Sequence, residues 1–209
     1  MQTKISPSQS LAAIPKELDQ TDWQLATDKT DIAVYYKKGA SASDLIGFKT
    51  ISYHPTAAKE LYDFLKEVNT AMEAMNHLFV LGEVLDEWST AEDPKGRVVR
   101  TSFSMPFPFA NREFVHGLHS IAIDSNCYLV AYTPIDFPQK ATQKGYVRCP
   151  MFISGQRITA LPNGLTKVEH LMTYALSGGV SKNFQDRWLL KSHIGAYLCL
   201  LYTSDAADD

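Results

Sequence analysis

The chain has little cysteine: Cys127, Cys149 and Cys199 in 209 residues. Their number is odd, their spacings are wide, and none fits a metal-binding pattern, so neither a disulfide framework nor a zinc site is indicated. The reading is reduced thiols in a cytoplasmic protein. No histidine is placed beside any of the three, so no thiol nucleophile is indicated. No apolar run approaches the ~20 residues that a membrane-spanning helix needs. Met1–Ser10 is polar and lacks the apolar stretch of a secretory signal. Positive charge is also scarce. The 20 Lys and Arg are outnumbered by 23 Asp and Glu, and no basic stripe runs along the chain, so nucleic acid is not an expected partner. There is no Gly-rich phosphate loop, no serine elbow and no paired carboxylates. The remaining expectation is a protein that is not an enzyme and uses no cofactor and no metal.

What is present is an ordinary globular composition, 45% hydrophobic and 21% charged. At this length it suits one domain able to bury a full core and enclose a cavity. Leu11, Ile14 and Leu18 predict a short N-terminal helix within residues 1–20. Trp23–Ala26 and Ile32–Lys37 read as paired strands, followed by a third at Leu45–Tyr53. Thr56 is placed to cap a helix with Ala57, Leu61, Phe64, Leu65 and Val68 on one face, and Met72, Ala74 and Met75 extend the helical stretch. The period then changes. Leu78–Glu87, Arg97–Ser104, Glu113–Asp124, Cys127–Thr133, Gly145–Ser154, Arg157–Leu161 and Leu165–Leu176 read as strands separated by turns. Ser181 caps a last helix with Val180, Phe184 and Trp188 at i, i+4 steps. The order describes an α+β layout in which a curved antiparallel sheet closes around a long C-terminal helix.

One stretch organises the rest: Ser104–Leu118. Pro106 and Pro108 end the strand before them. Phe114, His116 and Leu118 then alternate with Val115 and Gly117, as a strand does. A loop carrying Met105, Phe107 and Phe109 is unusual, because loops are mostly polar. Either it folds back on a core or it covers something apolar. Arg112-Glu113 reads as a surface or edge ion pair that sets the loop. Arg148 reads as a structural strand residue pairing with an acid such as Glu169, or as a reach toward a ligand.

Pro106–Phe114, Gly145-Tyr146-Val147-Arg148 and Gly178-Gly179, in this order and at these distances, resemble the START lipid-transfer domains over about Trp23–Trp188. The family's Asn-Arg-Asp-Phe motif stands here as Asn111-Arg112-Glu113-Phe114. The resemblance implies a helix-grip fold, lipid binding and intracellular lipid transfer, with one lipid in a closed tunnel beneath the C-terminal helix. It implies a START-like domain over residues 21–198. By strand alternation the tunnel is lined by Val99, Thr101, Phe103, Phe114, His116, Leu118, Tyr132, Phe152, Met172 and Tyr174, with Phe184 and Trp188 closing one wall. Arg100 and Arg148 are candidate headgroup contacts. Met105, Phe107, Phe109 and Phe137 form the lid and membrane contact, or else plug the ends of the core.

The opening loop is nearest the phosphatidylcholine-transfer branch. That branch's phosphate-binding arginine aligns with Met72, its acidic neighbour with Asn76, and its choline cage with Thr101, Phe114 and Phe152. The buried arginine of the sterol branch aligns with Leu118. With both charges missing, the tunnel suits a sterol, a diacylglycerol- or ceramide-like lipid, or a fatty acyl chain, and a phospholipid only if Arg100 or Arg148 turns inward. The partners expected are therefore such a lipid and, transiently, a membrane surface, with the protein a monomer. Two further readings stand beside transfer. One is a helix-grip enzyme of the cyclase or hydrolase type using His116 with Tyr132 or Tyr174. The other is a lipid-sensing regulator that does not exchange its ligand. Cys199–Asp209 resembles one frame of a sequencing adapter, so residues 199–209 are expected to be a non-native tail, the alternative being a natural short acidic one.

Overall fold

The computed structural model describes residues 7–29, 32–37, 47–76, 78–89, 96–173, 175, 177 and 179–180. The expected C-terminal helix, with Phe184 and Trp188, as well as Tyr174 and the 199–209 tail, lies outside the described residues. The chain starts with α1 (Pro7–Leu18) and three strands, β1 (Gln24–Lys29), β2 (Ile32–Lys37) and β3 (Gly47–His54). Two short helices follow, α2 (Ala58–Leu65) and α3 (Val68–Met75). Then come β4 (Phe79–Trp88), β5 (Gly96–Phe103), β6 (Asn111–Ala122), β7 (Cys127–Pro134), β8 (Tyr146–Arg148), β9 (Ser154–Ala160) and β10 (Thr166–Thr173). They form one sheet in the order β1-β2-β3-β10-β9-β7-β6-β5-β4. Every pairing along it is antiparallel, and the short β8 adds to β6 in parallel.

The two faces of this sheet carry different loads. On the outer face, Leu11, Ile14 and Leu18 of α1 pack against Leu129, Ala131 and Leu171. Gly155 makes this approach possible: a Cβ there would lie 2.5 Å from Ile14 Cδ1 and 2.5 Å from the Val130 carbonyl oxygen. On the inner face, Leu61, Tyr62 and Leu65 of α2 bury against Val99, Leu118, Val130 and Ile158. Each such apolar side chain contributes about 1.5–3 kcal/mol when fully buried. Tyr62 stacks on Tyr128 with ring centroids 4.8 Å apart, which docks α2 on β7. At the sheet edge the Asn69 side chain of α3 accepts from the Gly82 N–H at 2.8 Å, and a Cβ on Gly82 would collide with that same oxygen.

Two local expectations need correction. Thr56 does not cap α2. The N-cap is Ala57, with no side-chain bond, and Thr56 instead offers its carbonyl to the Thr166 hydroxyl at 2.7 Å. The single strand expected at Gly145–Ser154 is interrupted. β8 ends at Arg148, Pro150 lies in the break, and β9 starts only at Ser154. Proline cannot donate to a ladder, which is the physical reason for the interruption.

Candidate functional site

Antiparallel register brings the site together. In β5 and β6, Val99 lies opposite His116, Thr101 opposite Phe114, and Phe103 opposite Arg112. Side chains alternate faces along a strand, so these six share the inner face. β7 adds Tyr132, which lies opposite Ser154 of β9. From β10 come His170 and Met172. Met72 and Asn76 project from the end of α3, while Met105 comes from the loop after β5 and Met151 from the break before β9. Together they enclose a cavity of about 100 Å³. That is tighter than the full lipid tunnel that the resemblance implies. Phe103 and Phe114 meet edge to face at 5.9 Å, and His116 and Tyr132 at 5.4 Å.

The walls are apolar but not uniformly so. Arg112 is 1% exposed and reaches the cavity. Its guanidinium donates to the Ala110 carbonyl, the Cys149 thiol lies nearby, and its Nε has no partner. His116 is equally buried, and neither ring nitrogen has a partner. Burial alone lowers its pKa to about 4, so at neutral pH the ring is uncharged, with one donor and one acceptor. Burial pushes the Tyr132 phenol up to about 12, opposed by the Gln156 side chain beside it. The Cys149 thiol is likewise raised by burial, against the lowering influence of Ser177 and Arg112. Thr50 Oγ1 and Gln156 Oε1 are also buried on this face without partners. Among the described residues no group of His, Cys, Asp and Glu could hold a metal ion.

Of the expected lining residues, Thr101, Phe103, Phe114, His116, Tyr132 and Met172 border the cavity. Val99 and Leu118 share their face but pack one layer away, in the cluster with α2. Phe152 does not line it, whereas Met151 and Ser154 do. The phase fails because residues 149–153 are not a strand, so alternation cannot be carried through them. Tyr174, Phe184 and Trp188 lie outside the described residues.

Arg100 and Arg148 point away from the cavity, correcting their reading as headgroup contacts. Arg100 neighbours Val99 and Thr101, so parity sends it to the outer face, where it pairs with Glu83. Glu83 also accepts from Lys140 at 3.0 Å, and these two cations hold its carboxyl below the usual carboxylate range, the Lys140 hydrogen bond being the largest cause. Arg148 forks onto Glu113, which is fully buried, at 2.7 and 2.6 Å. Its expected partner Glu169 instead binds Arg157 at 2.7 Å.

The residues expected to form the lid divide. Met105 is buried in the cavity wall, Phe109 packs against the same cluster, Phe137 is half-buried, and Phe107 is 96% exposed. Arg112 is the residue that the sequence reading missed. It is not half of an ion pair with Glu113, because neighbours on a strand face opposite ways. Alternation back from Phe114 was the signal that places it inside.

The fold has relatives among solved structures. Human StAR-related lipid transfer protein 5 superposes with a TM-score of 0.82 at 18% identity, covering 97% of this chain and 97% of that one. Human STARD10 follows at 0.76 and 16%, covering 99% and 84%. A STAR-related lipid transfer protein from Xanthomonas axonopodis gives 0.67 and 21%, covering 88% and 99%. At such identities these likenesses speak for the fold alone. No curated protein matches the sequence. The START domain profile matches residues 16–198. That span takes in the whole described sheet and its cavity, so the curved sheet is that of the helix-grip fold and the chain belongs to the START domain family.

Proposed function

We propose that this chain binds one lipid in the inner cavity and transfers it between membranes. The observation that carries the reading is an apolar cavity on the inner face of the sheet, joined to a loop whose tip, Phe107, stands almost fully in solvent. An apolar molecule crosses water only when its surface is covered. The exposed ring gives the carrier a foothold in a bilayer surface. Met105 and Phe109, on the same loop, reach back into the core, so insertion of the tip pulls directly on the cavity wall.

The cavity of about 100 Å³ is narrow for a lipid, and its described walls are suited to giving way. Met72, Met105, Met151 and Met172, four of the six methionines in the chain, border it. Unbranched thioethers repack around irregular guests at low cost. Lipid entry on this reading displaces methionine side chains and leaves the strands in place.

The enzyme reading is weaker on the same geometry. An acid–base pair works best with pKa values near the working pH. His116 and Tyr132, at about 4 and about 12, lie on either side of that range. The test is transfer of labelled lipid between donor and acceptor vesicles, with native mass spectrometry of the protein purified from cells. Retained lipid with catalysed exchange supports the proposal. Binding without exchange makes the protein a sensor, and failure to retain or accept any lipid overturns the reading.

A further inference from the structure

Among the described residues, the cavity borders a buried cation with no acidic partner. Arg112 is 1% exposed, yet its neighbours, the Ala110 carbonyl and the Cys149 thiol, are both uncharged. The acid next to it in sequence, Glu113, points to the other face and is taken by Arg148 and the Gln143 N–H. A guanidinium cannot shed its proton to escape burial. A buried charge without a partner is strongly unfavourable. Its free Nε, on a side chain that borders the cavity, marks where a partner would bind.

The partner must also fit. The space is about 100 Å³ between aromatic rings and methionine side chains, with no acidic side chain for a cationic headgroup among its described lining residues. A single slender chain displaces fewer of these side chains than two chains and a bulky headgroup would. His116 lies four residues further along the same strand, ~13 Å deeper at ~3.3 Å per residue. It is uncharged, so it demands no second anion.

We propose that the cavity takes a long-chain fatty acid, with the carboxylate on Arg112 and the chain running inward past Phe114 toward His116. Carboxylate and guanidinium match as a two-bond fork. This assignment rests on the lipid-binding reading and narrows it.

The experiment measures binding of palmitic acid and of hexadecanol to the delipidated full chain, with hexadecyl phosphate and dipalmitoylphosphatidylcholine as further arms. The acid is expected to bind at least tenfold tighter than the alcohol. In Arg112→Gln that preference should vanish while the alcohol still binds, and Arg112→Lys should restore part of it. The comparison within the wild type needs no variant, so it stands even if Arg112→Gln fails to fold. Equal binding of acid and alcohol by the wild type overturns the proposal, as does a preference that survives in a folded Arg112→Gln. Tighter binding of hexadecyl phosphate or of the phosphatidylcholine overturns the carboxylate assignment. Binding of neutral lipids alone sinks this inference and spares lipid transport, whereas binding of none sinks both.

Discussion

His116 gives the structure a measurable acid weakness. In the fold its pKa is about 4, lowered by burial, against ~6.5 for an unfolded chain. The native state therefore resists protonation and the unfolded state does not. For a base with a depressed native value, the stability is fully present above the unfolded pKa and is lost as pH falls toward the folded one. Linkage puts the loss at ~2 kcal/mol between pH 7 and pH 5, growing to ~3 kcal/mol at pH 4. The paired carboxylates Asp19, Asp22, Asp63 and Glu83, all lowered below their usual range by basic partners, lose their contribution mainly below pH 5. The window from 7 to 5 therefore isolates histidine. Urea unfolding of lipid-free protein, followed by tryptophan fluorescence, should show the wild type losing ~2 kcal/mol more than His116→Leu over that window. The other histidines are common to both proteins and cancel in the difference. Parallel pH dependences in the two proteins would show that His116 is not held neutral by burial, and the description of the site would then be wrong.

Four other outcomes are expected. Phe107→Ser should leave thermal stability within ~0.5 kcal/mol of wild type, because the ring is 96% exposed, while slowing vesicle-to-vesicle transfer several-fold. Glu113→Gln should cost ~3 kcal/mol in chemical denaturation, the lower end for breaking a buried pair, because Arg148 is partly solvated. Gly155→Ala should cost ~1–3 kcal/mol by forcing α1 off the sheet, and partial protease sensitivity confined to the N-terminal helix would locate the effect. Replacing Met72 and Met172 together by isoleucine should weaken binding of long acyl chains more than that of short ones in the same titration, because a β-branched wall yields less.

The strands and their order were legible from the chain because runs of β-branched and aromatic residues are separated by clear turn signals. The phase of the inner face could be read wherever a strand ran unbroken. Phe114 and His116 on β6, and Thr101 and Phe103 on β5, follow from one alternation. Reading failed where the chain leaves the ladder. Pro150 resets the phase, so Phe152 was placed where Met151 and Ser154 stand. Thr56 has the right chemistry for a helix cap, but its environment across the sheet decides otherwise. Arg112 was misread because adjacent opposite charges suggest a pair. A strand separates adjacent residues as surely as a helix joins those four apart. The polar inner positions Thr50 and Gln156 gave no local sign either, since a polar residue in a strand ordinarily looks outward.

The split between the two sides of β6 has an evolutionary corollary. Glu113 and its basic neighbour Arg148 stand back to back with Arg112, sharing a backbone but no surroundings. A change in that ion pair is felt as stability on the outer face, while the cavity wall on the inner face keeps its own residues. A single inserted or deleted codon within residues 111–122 would transpose the two sets together, turning carboxylate into the lumen and guanidinium out of it. Length polymorphism should therefore collect in the flanking segments 104–110 and 123–126, leaving the strand free to vary only by substitution.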